Sequence, residues 1–157
     1  MVDNNSLSLN KLIERLKQIK AKDIMTTDVI TVKKDDPLTD VADLMIEKRI
    51  SGFPVLEDGV IVGIITANDL FLVMDMIKTG EVLKINESDY YRFKVSFAMS
   101  TEVISVNPEG SLDEIISLMK YRNIHTLPVT FQNKLVGVIG RRDIFRSFYS
   151  AIKDLIL

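Results

Sequence analysis

At 157 residues the chain has the size of one compact domain or of two small halves sharing a core, and 46% hydrophobic with 27% charged residues is the composition of a globular protein. Its 20 basic and 22 acidic side chains leave a formal charge of −2, which gives the whole surface no bias towards nucleic acid. The lack of cysteine excludes disulfides, thiol nucleophiles and thiolate metal sites, and a single histidine, His125, excludes a multi-histidine metal centre.

In chain order, the first residues, MVDNNSLSLNKL, lack the basic flank and continuous apolar core of a signal peptide. No apolar run approaches the roughly 18 residues of a membrane span. A cytoplasmic protein with no membrane partner is expected. From about Ser8 to Lys20, Leu9, Leu12, Ile13, Leu16 and Ile19 recur on one side of an amphipathic helix. Val29–Val32 is a short β-branched strand. A helix then starts near Pro37, which suits a first turn, with Asp36 placed to cap it. Its apolar positions are Leu38, Val41 and Met45. Phe53–Glu57 and Val60–Thr66 form a hairpin around Asp58-Gly59, and a helix begins after Thr66.

Thr79 to Val95 reads as an extended connector. It carries Gly80, Asn86 and Ser88, and packs Tyr90, Tyr91 and Phe93 on the domain. Val103–Val106 is the next strand. Ser111 and Glu114 have capping-box spacing ahead of a helix with Leu112, Ile115 and Met119 on its apolar face. A second hairpin has Asn133-Lys134 at its turn, and a last helix follows Gly140.

The order of these elements repeats. Shifted by 74 residues, MTTDVITV from Met25 falls on MSTEVISV from Met99, and DLMIEKRISGFPV falls on SLMKYRNIHTLPV. VGIITANDLF, ending at Phe71, falls on VGVIGRRDIF, ending at Phe145, with no gap anywhere. Each half is one copy of a strand–helix–strand–strand–helix unit. The expected organisation is an N-terminal helix over 1–20, one copy over 21–78, a connector over 79–95 and a second copy over 96–157. One copy cannot bury both faces of a three-stranded sheet. Two can close about a pseudo-twofold axis and leave two related clefts. The class is α+β.

The order M-x-x-x-V-I-T-V, helix, F-P-V, D-G, G-I-I-T-x-x-D-L resembles the cystathionine-β-synthase-type (CBS) motif. The second copy, M-x-x-x-V-I-S-V, H-x-L-P-V, G-V-I-G-x-x-D-I, resembles it equally, so the likeness runs from about Ala21 to Phe148. It implies paired βαββα units that often dimerise as a flat disk. It also implies clefts that take AMP, ADP, ATP or S-adenosylmethionine, and a regulatory role towards enzymes or transporters. This chain has no room for such a partner domain, so a free-standing module is expected, as a homodimer with an unidentified regulated protein.

Thr66 and Asp69, at the end of a strand and the start of a helix, suit two compatible roles. One is an N-cap with an acid near the positive end of the dipole. The other is a ribose acid with a phosphate-facing hydroxyl, as in dinucleotide sites. Asp143 is the equivalent acid, but Gly140 stands where the threonine would be. Arg141 and Arg142 oppose the helix dipole, so they read either as solvated surface or as phosphate ligands. His125 is either a surface residue or a donor to an anion. Its counterpart is Ser51, and Gly52 beside it would let a planar base approach.

The resemblance implies sites that mix the copies. Thr66 and Asp69 would face Val103, Ile104, Ile124 and His125, and Asp143 would face Val29, Ile30, Ile50, Ser51 and Gly52. Those aliphatic residues would serve a core in any case. The expected function is a ligand-binding regulatory module with an adenine nucleotide as regulatory ligand and no resident cofactor. Arginine at the phosphate end favours AMP, ADP or ATP over the sulfonium of S-adenosylmethionine. The competing reading is a pure interaction or dimerisation module, which Gly140 supports. No nucleophile–base pair, metal cluster or glycine-rich phosphate loop supports an enzyme, and charge gives nucleic-acid binding no support.

Overall fold

The structure is a computed structural model that describes residues 4–81 and 93–156, with side chains over 8–81 and 93–155. Asn86, Ser88, Tyr90 and Tyr91 of the connector lie outside the described residues. The elements are mixed α and β. The chain divides into two compact units, one made of Met1–Val29 and Ile104–Leu157, the other of Ile30–Val103. These limits do not follow the repeat. Each unit holds the hairpin and helices of one copy together with the opening segment of the other.

The Ile30–Val103 unit contains β1 (Val32–Lys33), α3 (Leu38–Lys48), β2 (Gly52–Glu57), β3 (Val60–Thr66), α4 (Ala67–Thr79) and α5 (Val95–Ala98). β1 runs parallel to β2 at Val32↔Val55, and β2 is antiparallel to β3 from Gly52↔Thr66 to Glu57↔Val60. Asp58 and Gly59 both take positive φ at the turn, as a two-residue hairpin requires. Leu38, Val41 and Met45 are buried with Phe53, Val55, Ile65, Leu70 and Val73. Phe93 joins this core, its ring 4.8 Å from that of Phe97.

The other unit contains α1 (Asn4–Gln18), α2 (Ala21–Ile24), α6 (Leu112–Tyr121), β4 (Thr126–Phe131), β5 (Lys134–Gly140) and α7 (Arg141–Ile156). β4 and β5 are antiparallel from Thr126↔Gly140 to Phe131↔Lys134. Leu112, Ile115 and Met119 are buried with Leu127, Val129, Ile139 and Ile144. α1 packs along α7, with Leu16 and Ile19 on the core and Arg15 paired to Asp154 at 2.5 Å.

Four expectations are corrected. The first strands are shorter than the β-branched runs. Regular pairing covers Val32–Lys33 in one, and Val106 alone bridges Val129 in the other. The second turn is Gln132-Asn133, which carry the positive φ values, and Lys134 already belongs to β5. Pro37 itself is the N-cap of α3, and Asp36 does not cap the helix. Its Oδ2 accepts the Lys33 amide at 2.7 Å, while the Leu38 amide donates to the Phe93 carbonyl. At Ser111 the hydroxyl accepts the Glu114 amide at 3.1 Å as expected. The amphipathic helix begins at Asn4 and ends at Gln18, ahead of the expected range.

Candidate functional site

Thr66 ends β3 in an extended conformation and caps α4. Its amide donates to Asp69 Oδ2 at 2.7 Å, its hydroxyl donates to the same oxygen at 2.8 Å, and it accepts the Asp69 amide at 3.4 Å. The carboxylate is half-buried. Oδ2 is taken up by the cap, and Oδ1 has no hydrogen-bond partner among the described residues. Capping therefore leaves one charged acceptor at the helix's positive end, where an incoming hydroxyl can donate.

The hairpin register sets the neighbours of this acid. Gly52 pairs with Thr66, and the Ala67 amide donates to the Ser51 carbonyl at 2.8 Å, so Ile50, Ser51 and Gly52 lie along the same rim. Ser51 is exposed and Gly52 buried. Met99 and Ser100, from the other copy, lie against β3 through paired Ile64–Ser100 hydrogen bonds at 2.9 Å. Val103 belongs to this unit, and Ile30 packs on its core.

The second site repeats the plan with different side chains. The Gly140 amide donates to Asp143 Oδ2 at 2.8 Å, which leaves Oδ1 without a partner among the described residues. Thr126 pairs with Gly140, so His125 sits beside that turn. The imidazole is exposed and its Nε2 lies 3.1 Å from Asn123 Oδ1. Arg141 and Arg142 are exposed at the start of α7 and form no ion pair among the described residues. Thr26 exchanges two backbone hydrogen bonds with Val138, at 2.9 and 3.0 Å, and this brings Met25 and Thr26 to the site. Val29 belongs to this unit, and Ile104 and Ile124 pack on its core.

Within its own unit each hairpin lies beside the opening segment of the other copy. The hairpin register also sets Ser51 and Gly52 beside the Asp69 turn, and His125 beside the Asp143 turn, because the start of its first strand faces the end of its second. Met25, Thr26, Met99 and Ser100 were missed. Their signal was a methionine and a glycine (Val-Gly-Ile/Val-Ile) kept at the same places in both copies.

The family model of the CBS domain matches residues 21–75 and again 94–150. The chain belongs to the CBS-domain family. It is 35% identical over 123 residues to the CBS domain-containing protein YhcV of Bacillus subtilis, covering 78% of this chain and 81% of that protein. It is 28% identical over 158 residues to the inosine-5′-monophosphate dehydrogenase of Methanocaldococcus jannaschii, covering 98% of this chain but only 29% of the enzyme. CBSX2, solved in complex with AMP, matches with a TM-score of 0.71 at 25% identity over 85% of this chain and 98% of that one. CBS domains are regulatory modules, and the dehydrogenase match shows that such a pair also forms part of an enzyme's chain.

Proposed function

We propose that this CBS pair is a regulatory module, not an enzyme, that binds an adenosine-containing ligand at Asp69 and Asp143, with AMP, ADP or ATP preferred over S-adenosylmethionine. The observation that carries the reading is the pair of half-buried carboxylates. Each gives one oxygen to its helix cap and keeps one open beside the other copy's opening segment. CBSX2, a structural neighbour, holds AMP. Each site lies within one compact unit and draws on both motifs. The ligand would act by favouring one arrangement of the protein over another, to the extent of its differential affinity. The module would work as a homodimer.

Melting with and without AMP, combined with Asp69→Ala and Asp143→Ala, tests this. A bound nucleotide raises the melting temperature. Each variant stays folded, since a lost cap costs only about 1 kcal/mol. Each loses affinity by about 1–3 kcal/mol at its own site, through the missing charged acceptor. Full AMP affinity in both folded variants would leave the interaction-module reading, for which the missing hydroxyl at Gly140 speaks.

A further inference from the structure

An open pocket of about 490 Å³ runs along α7 away from Asp143. Its α7 wall carries Arg146, Ser147, Ser150 and Asp154, and its other wall includes Arg15 and Asp23. At 1.5 Å per residue the groove from Asp143 to Asp154 is about 16 Å long. The Arg15–Asp154 pair closes one end at 2.5 Å. Asp23 Oδ2 accepts the Lys20 amide at 2.8 Å, as Asp143 Oδ2 accepts that of Gly140. One oxygen of each acid and the whole Arg146 guanidinium remain without a protein partner among the described residues.

The other unit shows that this polarity is not required by the fold. At the equivalent positions of α4, Leu72, Val73 and Met76 replace Arg146, Ser147 and Ser150. Phe97 replaces Asp23, and Phe93 replaces Ile19. Val73 and Phe93 are buried there, Met76 packs on the same core, and the two phenylalanine rings lie against each other. The corresponding face carries apolar side chains in one unit, with Val73 and Phe93 buried and Leu72 and Phe97 about half exposed, and opposite charges and hydroxyls in the other. A merely solvated face needs neither the cavity nor both signs of charge within it.

We propose that this pocket is a second ligand site that takes a free α-amino acid. Arg146 and the hydroxyls of Ser147 and Ser150 hold its carboxylate, and the open oxygen of Asp23 holds its ammonium group. A zwitterion satisfies both sets at once. A simple anion would meet three carboxylates, and a simple cation would meet an unpaired arginine. The volume leaves room for a large side chain and bridging water. This reading goes beyond adenosine binding, and the pocket shares Met25, Thr26 and Asp143 with the site proposed for the nucleotide.

Calorimetry of the full chain against each standard amino acid, and separately against AMP, tests it. Arg146→Leu and Ser150→Met introduce the residues that the other copy tolerates, and Arg146→Gln is a milder change at an exposed position. At least one amino acid is expected to bind saturably, about tenfold or more weakly to each Arg146 variant, with AMP affinity unchanged. The same amino acid without its carboxylate, or N-acetylated, is expected not to bind. The proposal is overturned if no amino acid binds at up to about 10 mM, if binding ignores the Arg146 variants, or if these variants lose AMP and the amino acid together. That last result would make the two sites one.

Discussion

A Cβ built on Gly137 would stand 2.5 Å from Met25 Sδ, and one on Gly63 would stand 2.7 Å from Met99 Sδ and 2.9 Å from the Ser100 carbonyl oxygen. The two glycines are therefore the seats of the two methionines, each in the unit where the opening segment of the other copy docks. At Gly137 the three nearest atoms are Met25 Sδ, Cγ and Cβ, of which rotation cannot move Cβ, and at Gly63 a backbone oxygen is among them. Gly63→Ala and Gly137→Ala are each expected to cost about 1–3 kcal/mol, as overpacking does. Urea titration of both variants checks this, and a cost near zero in either would show that its methionine does not hold the docked segment in place. Gly140 is different. Its nearest neighbours would be 3.7 and 3.9 Å from a Cβ. Gly140→Thr should fold normally, with a stability change within about 0.5 kcal/mol, since glycine and threonine are similar N-caps. A loss of several kcal/mol in the same titration would mean that the turn cannot accept the side chain that Thr66 carries in the other copy.

At the scale of elements, helices and hairpins were legible in the sequence because their signals are local. Leu38, Val41 and Met45, with their counterparts, bury as their spacing predicts, and Asp58-Gly59 makes the turn. What failed depends on a partner. The Val29–Val32 run is not one strand along one neighbour, because Val29 closes one unit, Ile30 opens the other, and only Val32 of the run pairs, with Val55. Asp36 was placed to cap α3, but the carbonyl of Phe93, distant in sequence, meets the first free amide instead. The acids of the candidate sites were legible as strand-end, helix-start residues. Ser51, Gly52 and His125 lie beside the acids of their own hairpins through a strand register that no local sequence signal states.

The start of α7 carries a further prediction. Arg141 and Arg142 oppose its dipole and gain no ion pair among the described residues, so they cost stability instead of adding to it. An Arg141→Ala, Arg142→Ala double variant should be as stable as the parent or more so, by up to about 1 kcal/mol at low salt. It should bind AMP more weakly, and with less salt dependence. Calorimetry at two ionic strengths decides it. Unchanged affinity, or tighter binding of S-adenosylmethionine than of any adenine nucleotide by the parent, would leave the arginines as solvated surface.

For the whole molecule, what matters is the apolar surface left after each unit has closed its core. α1 packs Leu16, and the chain just after it Ile19, on the unit of α7, while Leu9 and Ile13 remain exposed. Phe145 and Tyr149 on α7 remain 58% and 60% exposed. On α4, Leu70 and Val73 turn inward, while Phe71, Leu72 and Met74 are all more than half exposed. Single exposed apolar residues are ordinary, but aromatic side chains at this exposure on the last helix of both repeats are what an interface between identical chains would cover. We propose a homodimer, in which a second chain covers the exposed aromatic side chains of these last helices. Light scattering at micromolar concentration should give twice the 17.8 kDa of one chain. Phe71→Glu and Phe145→Glu, which place a charge where water already reaches, should leave the circular dichroism unchanged and lower the mass towards one chain. A parent protein that scatters as a monomer, or a double variant that stays dimeric, would mean that these helices face solvent or another partner and that pairing, if any, uses a different face.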